Sequence, residues 1–190
     1  MQNLPWILLA FLLGALPLSV WITQLTTGKD PRTVGDHNPG ATNALKAGGR
    51  AAGLAALALD VSKAALPVGL AYQVFHIQGW EMVAIAIAPT LGHAYSPFLN
   101  FKGGKALATI LGAWIGLTLW DVPLVALAGI SFWYLTLKQS ARAVMLTLFG
   151  MGLYLFFMRP EPLFLWALGL QVLLSIWKHR GDLMPRKPSH

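Results

Sequence analysis

The sequence predicts an all-α integral membrane protein, a seven-transmembrane-helix bundle with its N-terminus outside and its C-terminus cytoplasmic. Three observations carry that expectation. Of 190 residues, 56% are hydrophobic and only 11% charged, too little polar surface to wrap a soluble core of this size. The apolar residues gather into seven runs separated by short polar segments. The basic residues favour alternate segments, the pattern that membrane topology imposes. The length suits one bundle, a single membrane-embedded domain over residues 1–190.

The first run, Leu4–Leu25, follows no basic n-region and is too long for a signal-peptide core, so it reads as a retained span. Ala51–Phe75 and Met82–Leu99 follow, then Ala106–Trp120, Val122–Leu137, Ala143–Phe157 and Pro162–Trp177. A straight crossing needs about 20 residues. The last four runs hold only 15 or 16, so they borrow flanking residues, tilt little or thin the bilayer. Five spans with two re-entrant pieces is the alternative.

Lysine and arginine sort these choices. The first loop carries Lys29, Arg32, Lys46 and Arg50, the third Lys102 and Lys105, and the fifth Lys138 and Arg142. The tail carries Lys178, Arg180, Arg186 and Lys187, which places 12 of the 14 basic residues on one face. Arg159 lies opposite and Lys63 falls inside a span. The positive-inside rule makes that face cytoplasmic. A net charge of +7 distributed in this way follows topology and points away from nucleic acid. The absence of cysteine excludes disulfides, thiolate metal sites and Cys nucleophiles.

Several polar residues need a reason. Asp60 and Lys63 lie three apart in the second span, on one helix face. An intramembrane charge costs roughly 2.5–3.5 kcal/mol unless it is paired or faces water. The two residues are therefore either a local ion pair or the lining of a polar cavity. His93 follows Gly92 near the cytoplasmic end of the third span.

In "NFKGGKALAT", Gly103 and Gly104 permit positive φ and close approach to a ligand. The helix starting at Ala106 points its free N–H groups back at them, and Lys102 and Lys105 flank the turn. Together they make an anion site without the spacing of a Walker A loop. The first loop adds "GDHNPGATNALK", rich in turn-forming Gly and Asn, and "WKHRGD" follows the last span. Three such segments on one face imply a single site for a phosphorylated molecule.

Together these segments resemble the bacterial acyl-phosphate:glycerol-3-phosphate acyltransferases, the PlsY family. Its first motif, Gly-Ser-x-Asn-x-Gly-Ala-Thr-Asn followed by Arg, is similar to "VGDHNPGATNALK". Its second, Gly-His-x-x-Pro then Phe-Lys-Gly-Gly-Lys-Gly, is similar to "GHAYSPFLNFKGGKALAT", and its third, beginning with His, to "KHRGDLMPR". The "LDVSKAALP" and "LLGALP" stretches also look like the family, so the likeness runs nearly end to end.

The resemblance implies a seven-helix bundle in the bacterial inner membrane, with its site facing the cytoplasm. It implies acyl transfer from acyl phosphate to the sn-1 hydroxyl of glycerol 3-phosphate, with neither metal nor organic cofactor. The partners are then those two substrates and the lipid bilayer. The oligomeric state is left open, a monomer included.

Substrate binding is expected from Asn38, Gly40, Thr42, Asn43, Lys46, Arg50, Lys102, Gly103, Gly104 and Lys105. His179, His93 and Asp36 are the candidates for proton transfer, alongside the substrate's own phosphate. His76 and Glu81 have the spacing of a His-x4-acid acyltransferase motif, but they fall in an outer loop, where the match reads as chance.

Departures are concentrated at polar positions. Asp36 stands for Ser, Lys46 for Arg, Ala106 for Gly and Asp182 for Asn. "RAVML" stands where a Ser-containing stretch is expected, and the closing Gly-x-Glu is missing from "PRKPSH". A divergent paralogue that acylates another acceptor, or that binds phosphorylated lipid precursors without catalysis, is the alternative function. A small transporter has less support, because the chain shows no matching inverted halves.

Overall fold

The computed structural model describes residues 2–183; the basic tail positions Arg186 and Lys187 and the segment "PRKPSH" lie outside the described residues. Among the described residues eight α-helices follow one another: α1 (Leu4–Ala15), α2 (Leu18–Thr27), α3 (Ala41–Gly69), α4 (Gly79–Ala94), α5 (Leu107–Thr118), α6 (Asp121–Leu137), α7 (Ser140–Met158) and α8 (Pro162–Leu183). Among the described residues there are no strands. Leu4–Thr27, Ala41–Val74, Gly79–Leu99 and Ser140–Met158 are long and apolar enough to cross a membrane by length and composition.

The seven apolar runs reappear as helical segments, with breaks in or beside them. The first run is broken between α1 and α2. Leu16, preceding Pro17, turns to φ −59°, ψ 122°, the extended region that a following proline favours. The second run is preceded by a short helical stretch, and α3 is non-helical at Gly49, with φ 81°. Beyond Gly69 the chain adds a π-helical segment, Leu70–Val74.

α3 packs most extensively on α5, α1 on α4 and α6 on α7, while α8 closes against α4 and α7. The α3–α5 contact is close because α5 presents glycine: a Cβ on Gly112 would run into the Val61 carbonyl. Gly92 likewise lets α4 meet the backbone of α1 at Phe11. Trp114, Phe164 and Met82 are fully buried in the core, and Trp114 Nε1 donates to Gln171 Oε1 at 2.8 Å. Outward-facing Leu8, Leu12, Leu54, Phe149, Phe156 and Leu173 are exposed, as expected of a surface solvated by lipid chains.

The two ends of the bundle differ in chemistry. At one end Arg159 bonds Asp121 at 2.8 Å, Tyr72 donates to Glu161, and Asn3 donates to Glu81. At the other end the first loop, the segment between α4 and α5, and the end of α8 converge. α5, with 12 residues, is roughly 18 Å long, against a hydrocarbon core of about 30 Å. Its first residues, Leu107 and Ala108, line the recess where the polar segments meet.

Candidate active site

A cavity of about 430 Å³ opens in this recess. The first loop contributes Asp36, Asn38 and Gly40, the start of α3 contributes Thr42 and Lys46, and the α4–α5 side contributes His93, Lys105 and Ala106. α8 contributes His179 and Asp182, and α3 contributes Leu57 and Asp60. Tyr134, Lys138 and Ser140, around the α6–α7 turn, complete the wall.

Buried amide chemistry shapes the first loop. Asn43, 1% exposed, donates through Nδ2 to Asp36 Oδ1 at 2.9 Å and to the Asn38 carbonyl at 3.0 Å. Ser19 Oγ donates to the Pro39 carbonyl at 3.0 Å and ties the loop to α2. Asn38 Oδ1 accepts the Lys105 N–H at 2.9 Å, which joins the first loop to the second. Asn43 thus braces the loop from behind; it is absent from the lining.

The glycine pair acts otherwise than expected. Positive φ in this segment belongs to Asn100, Phe101 and Ala106, and neither Gly103 nor Gly104 adopts it. The pair is needed for space. A Cβ on Gly103 would meet the His93 carbonyl, and one on Gly104 would meet the His93 ring. The Gly104 N–H donates to the His93 carbonyl at 3.1 Å. Lys178 Nζ staples the same junction, donating to the carbonyls of Ala94 at 2.9 Å and Gly103 at 3.0 Å. Lys102 and Arg50 lie outside the lining, both exposed.

Lys105 is the hub of the cavity mouth. Its Nζ sits 2.5 Å from Asp36 Oδ2 and 2.7 Å from Asp182 Oδ2, which links all three segments through one ammonium. Partial burial disfavours charge on Asp36, but its bonds to Lys105, Asn43 and the Asn38 N–H outweigh this and hold the carboxyl below its usual range. Desolvation similarly opposes charge on Lys105, yet Asp182 and Asp36 raise its pKa above the ordinary lysine value.

Deeper in, the ion-pair expectation for Asp60 and Lys63 holds, and of the two only Asp60 lines the cavity. The buried pair is 2.8 Å apart. Lys63 Nζ further donates to the Leu16 carbonyl, at the α1–α2 break, at 2.8 Å and lies 2.9 Å from His93 Nδ1. On the opposite wall His179 Nδ1 lies 3.0 Å from the Ser175 carbonyl.

An apolar groove of about 210 Å³ runs along α3, α5, α6 and α7, past Trp114, Ile130 and Met151. Leu57, Leu107 and Ala108 line both spaces, so the polar cavity and the groove meet at them. A polar head and an apolar chain can therefore be held side by side.

Residues 4–185 match the family model described as glycerol-3-phosphate acyltransferase. This chain belongs to that family. It is 33% identical over 180 residues to the glycerol-3-phosphate acyltransferase of Actinobacillus pleuropneumoniae serotype 5b, covering 93% of this chain and 88% of the relative. It is 34% identical over 183 residues to that of Methylobacillus flagellatus, covering 96% and 92%. Among solved structures it is similar to PlsY, an integral membrane glycerol 3-phosphate acyltransferase, in its glycerol 3-phosphate form. That likeness has a TM-score of 0.88 at 30% identity and covers 96% of this chain and 90% of the other. The lysophosphatidic acid form gives a TM-score of 0.86 at 28% identity.

Within this acyltransferase fold, two departures from the family's motifs meet at one atom: Asp36 and Asp182 are the two carboxylates on Lys105. A third, Ala106, takes φ 61°, a left-handed conformation that its Cβ disfavours. Sequence reasoning missed Tyr134, Lys138 and Ser140 as lining and Lys178 as a brace. Lys138 had a signal, its place on the basic face. Lys178 had the same signal, whereas Tyr134 and Ser140 are brought in by tertiary packing alone.

Proposed function

We propose that this integral membrane acyltransferase moves a fatty acyl group from acyl phosphate to the sn-1 hydroxyl of glycerol 3-phosphate, releasing lysophosphatidate and inorganic phosphate. The carrying observation is the junction of a lysine-bearing polar cavity with an apolar groove at Leu57, Leu107 and Ala108. The single domain crosses the bacterial cytoplasmic membrane seven times, with the cavity on the cytoplasmic side; the distribution of Lys and Arg favours this orientation.

Acyl phosphate is a mixed anhydride and is already activated, so no covalent enzyme nucleophile is needed. The protein holds two anionic groups, aims the hydroxyl and stabilises developing charge. The acyl chain lies in the groove. The donor phosphate sits against Lys105 and the first N–H groups of α5, where the helix dipole favours an anion. Lys46, Thr42 and Asn38 receive the acceptor phosphate, with Lys138 nearby.

The acceptor oxygen bonds to the acyl carbon, the bond from that carbon to the phosphate oxygen breaks, and phosphate leaves with the electron pair. A carbonyl only accepts, so His179 Nδ1 carries the hydrogen facing Ser175 and Nε2 keeps its lone pair. Nε2 of His179 is thereby the nitrogen able to take the hydroxyl proton.

A second reading, binding of phosphorylated lipid precursors without turnover, is favoured by the two carboxylates already on Lys105. Purified protein in detergent, supplied with glycerol 3-phosphate and either palmitoyl phosphate or palmitoyl-CoA, separates these readings. Lysophosphatidate formed with palmitoyl phosphate alone is expected. Glycerol 3-phosphate binding with no product from either donor would establish the second.

A further inference from the structure

The two histidines of the cavity receive opposite hydrogen-bond instructions. His179 Nδ1 faces a carbonyl. His93 Nδ1 faces the ammonium of Lys63 at 2.9 Å, and an ammonium has three N–H bonds and no lone pair. His93 Nδ1 must therefore accept. In a neutral imidazole the hydrogen then resides on Nε2.

The surroundings hold this state in place. Lys63 Nζ is ringed by three acceptors, Asp60 Oδ1, the Leu16 carbonyl and His93 Nδ1, at 2.8, 2.8 and 2.9 Å. The Lys63 and Asp60 side chains are 2% and 1% exposed. A second proton on His93 would set an N–H of Nδ1 against an N–H of Lys63. His93 is thus barred from accepting a proton at Nδ1, and Nε2 already carries one.

Position matches this chemistry. His93 lines the cavity and lies 3.9 Å from Asp60 Oδ1. Asp60 is one turn of α3 from Leu57, where cavity and groove meet. The reacting carbonyl of a lipid donor has to lie near that junction, with its chain on one side and its phosphate on the other.

We propose that His93 is a catalytic hydrogen-bond donor whose Nε2–H meets an oxygen of the acyl phosphate that gains negative charge as the acyl carbon is attacked, and that Lys63 and Asp60 are positioning residues holding it in that tautomer. This rests on the acyl-transfer reading and assigns His93 a role opposite to that of His179. The Asp60–Lys63 pair thereby has a functional reason to occupy the bundle interior.

Two measurements test it. In full-length protein labelled with ¹⁵N in the histidine rings, two-bond ¹H–¹⁵N correlations report the tautomer, with the His93 signals identified by their loss in His93→Gln. Nε2–H at His93 and Nδ1–H at His179 are expected, and Lys63→Met should abolish the preference at His93 alone.

In turnover, Gln places an amide N–H close to the position of Nε2. His93→Gln should keep kcat within about tenfold, whereas His93→Ala should lose about 10²–10³-fold, with KM for glycerol 3-phosphate little changed. An Nδ1–H tautomer or a doubly protonated ring at His93 would overturn the proposal. So would a folded His93→Gln as inactive as His93→Ala. Absence of turnover in the unsubstituted protein would instead remove the acyl-transfer reading, while the spectrum would still decide the tautomer.

Discussion

Two lysines bracket the site, and each is held by carboxylates, yet their environments differ. Lys63 has a side chain 2% exposed, and its neighbours are a helix break, a buried aspartate and a histidine, all anchored to the bundle. Lys105 has a side chain 18% exposed and is held by Asp36 and Asp182, whose side chains are 47% and 39% exposed. A buried charge paired with a buried carboxylate cannot leave its partner without leaving a second charge stranded. A charge at the cavity mouth, held by exposed carboxylates, can exchange them, because water and ions compensate the carboxylates it releases. Lys63 is thus fitted to fix geometry, and Lys105 to bind and release a phosphate.

The largest effect on stability is expected at Lys63. Lys63→Ala strands Asp60 in the interior and should destabilise the protein by about 3–5 kcal/mol, read as a lowered unfolding midpoint in detergent. Adding Asp60→Asn should recover part of that loss. If Lys63→Ala left the midpoint unchanged, the contrast between the two lysines would be broken.

At the mouth the expected effects are smaller. Exposed ion pairs are worth about 0–1 kcal/mol. Asp36→Ser and Asp182→Asn should each lower KM for glycerol 3-phosphate by up to about fivefold, since the phosphate no longer competes with that carboxylate. The sign with pH follows from Asp36, whose pKa is depressed in the folded state. Its contribution to stability is present above the ordinary carboxylate range and is lost as pH falls through the depressed value. Asp36→Ser should remove that acid-side loss. A higher KM in both variants would show that the carboxylates help to bind the acceptor.

The smallest effect is expected at Ala106. Its φ of 61° suits glycine, so Ala106→Gly should stabilise the protein by up to about 1 kcal/mol, the relief of left-handed strain slightly exceeding the added chain entropy. Destabilisation would mean that the Ala106 methyl group, which is buried, packs better than its backbone is strained.

Much of this arrangement was legible in the chain. Apolar runs and basic segments placed the helices and gathered Asp36, Asn38, Lys46, Lys105 and His179 at one end, because hydrophobic length and charge sorting are local properties. The clamp on Lys105 was not legible: it joins residues 69 and 77 positions apart. Nor was the true reason for Gly103 and Gly104, which depends on how near α4 comes rather than on their own φ. Lys178 looked like one more cation on the basic face, and only its two carbonyl partners reveal a brace. The match at His76 and Glu81 falls at the opposite end of the bundle, where Glu81 meets Asn3.

The most direct test compares the unsubstituted protein with Lys105→Ala, each purified in detergent and given palmitoyl phosphate and glycerol 3-phosphate, following phosphate release and lysophosphatidate together. Turnover in the first, a loss of about 10³-fold in the second and similar unfolding midpoints are the predicted result. Equal turnover in the two proteins would contradict a site built around Lys105.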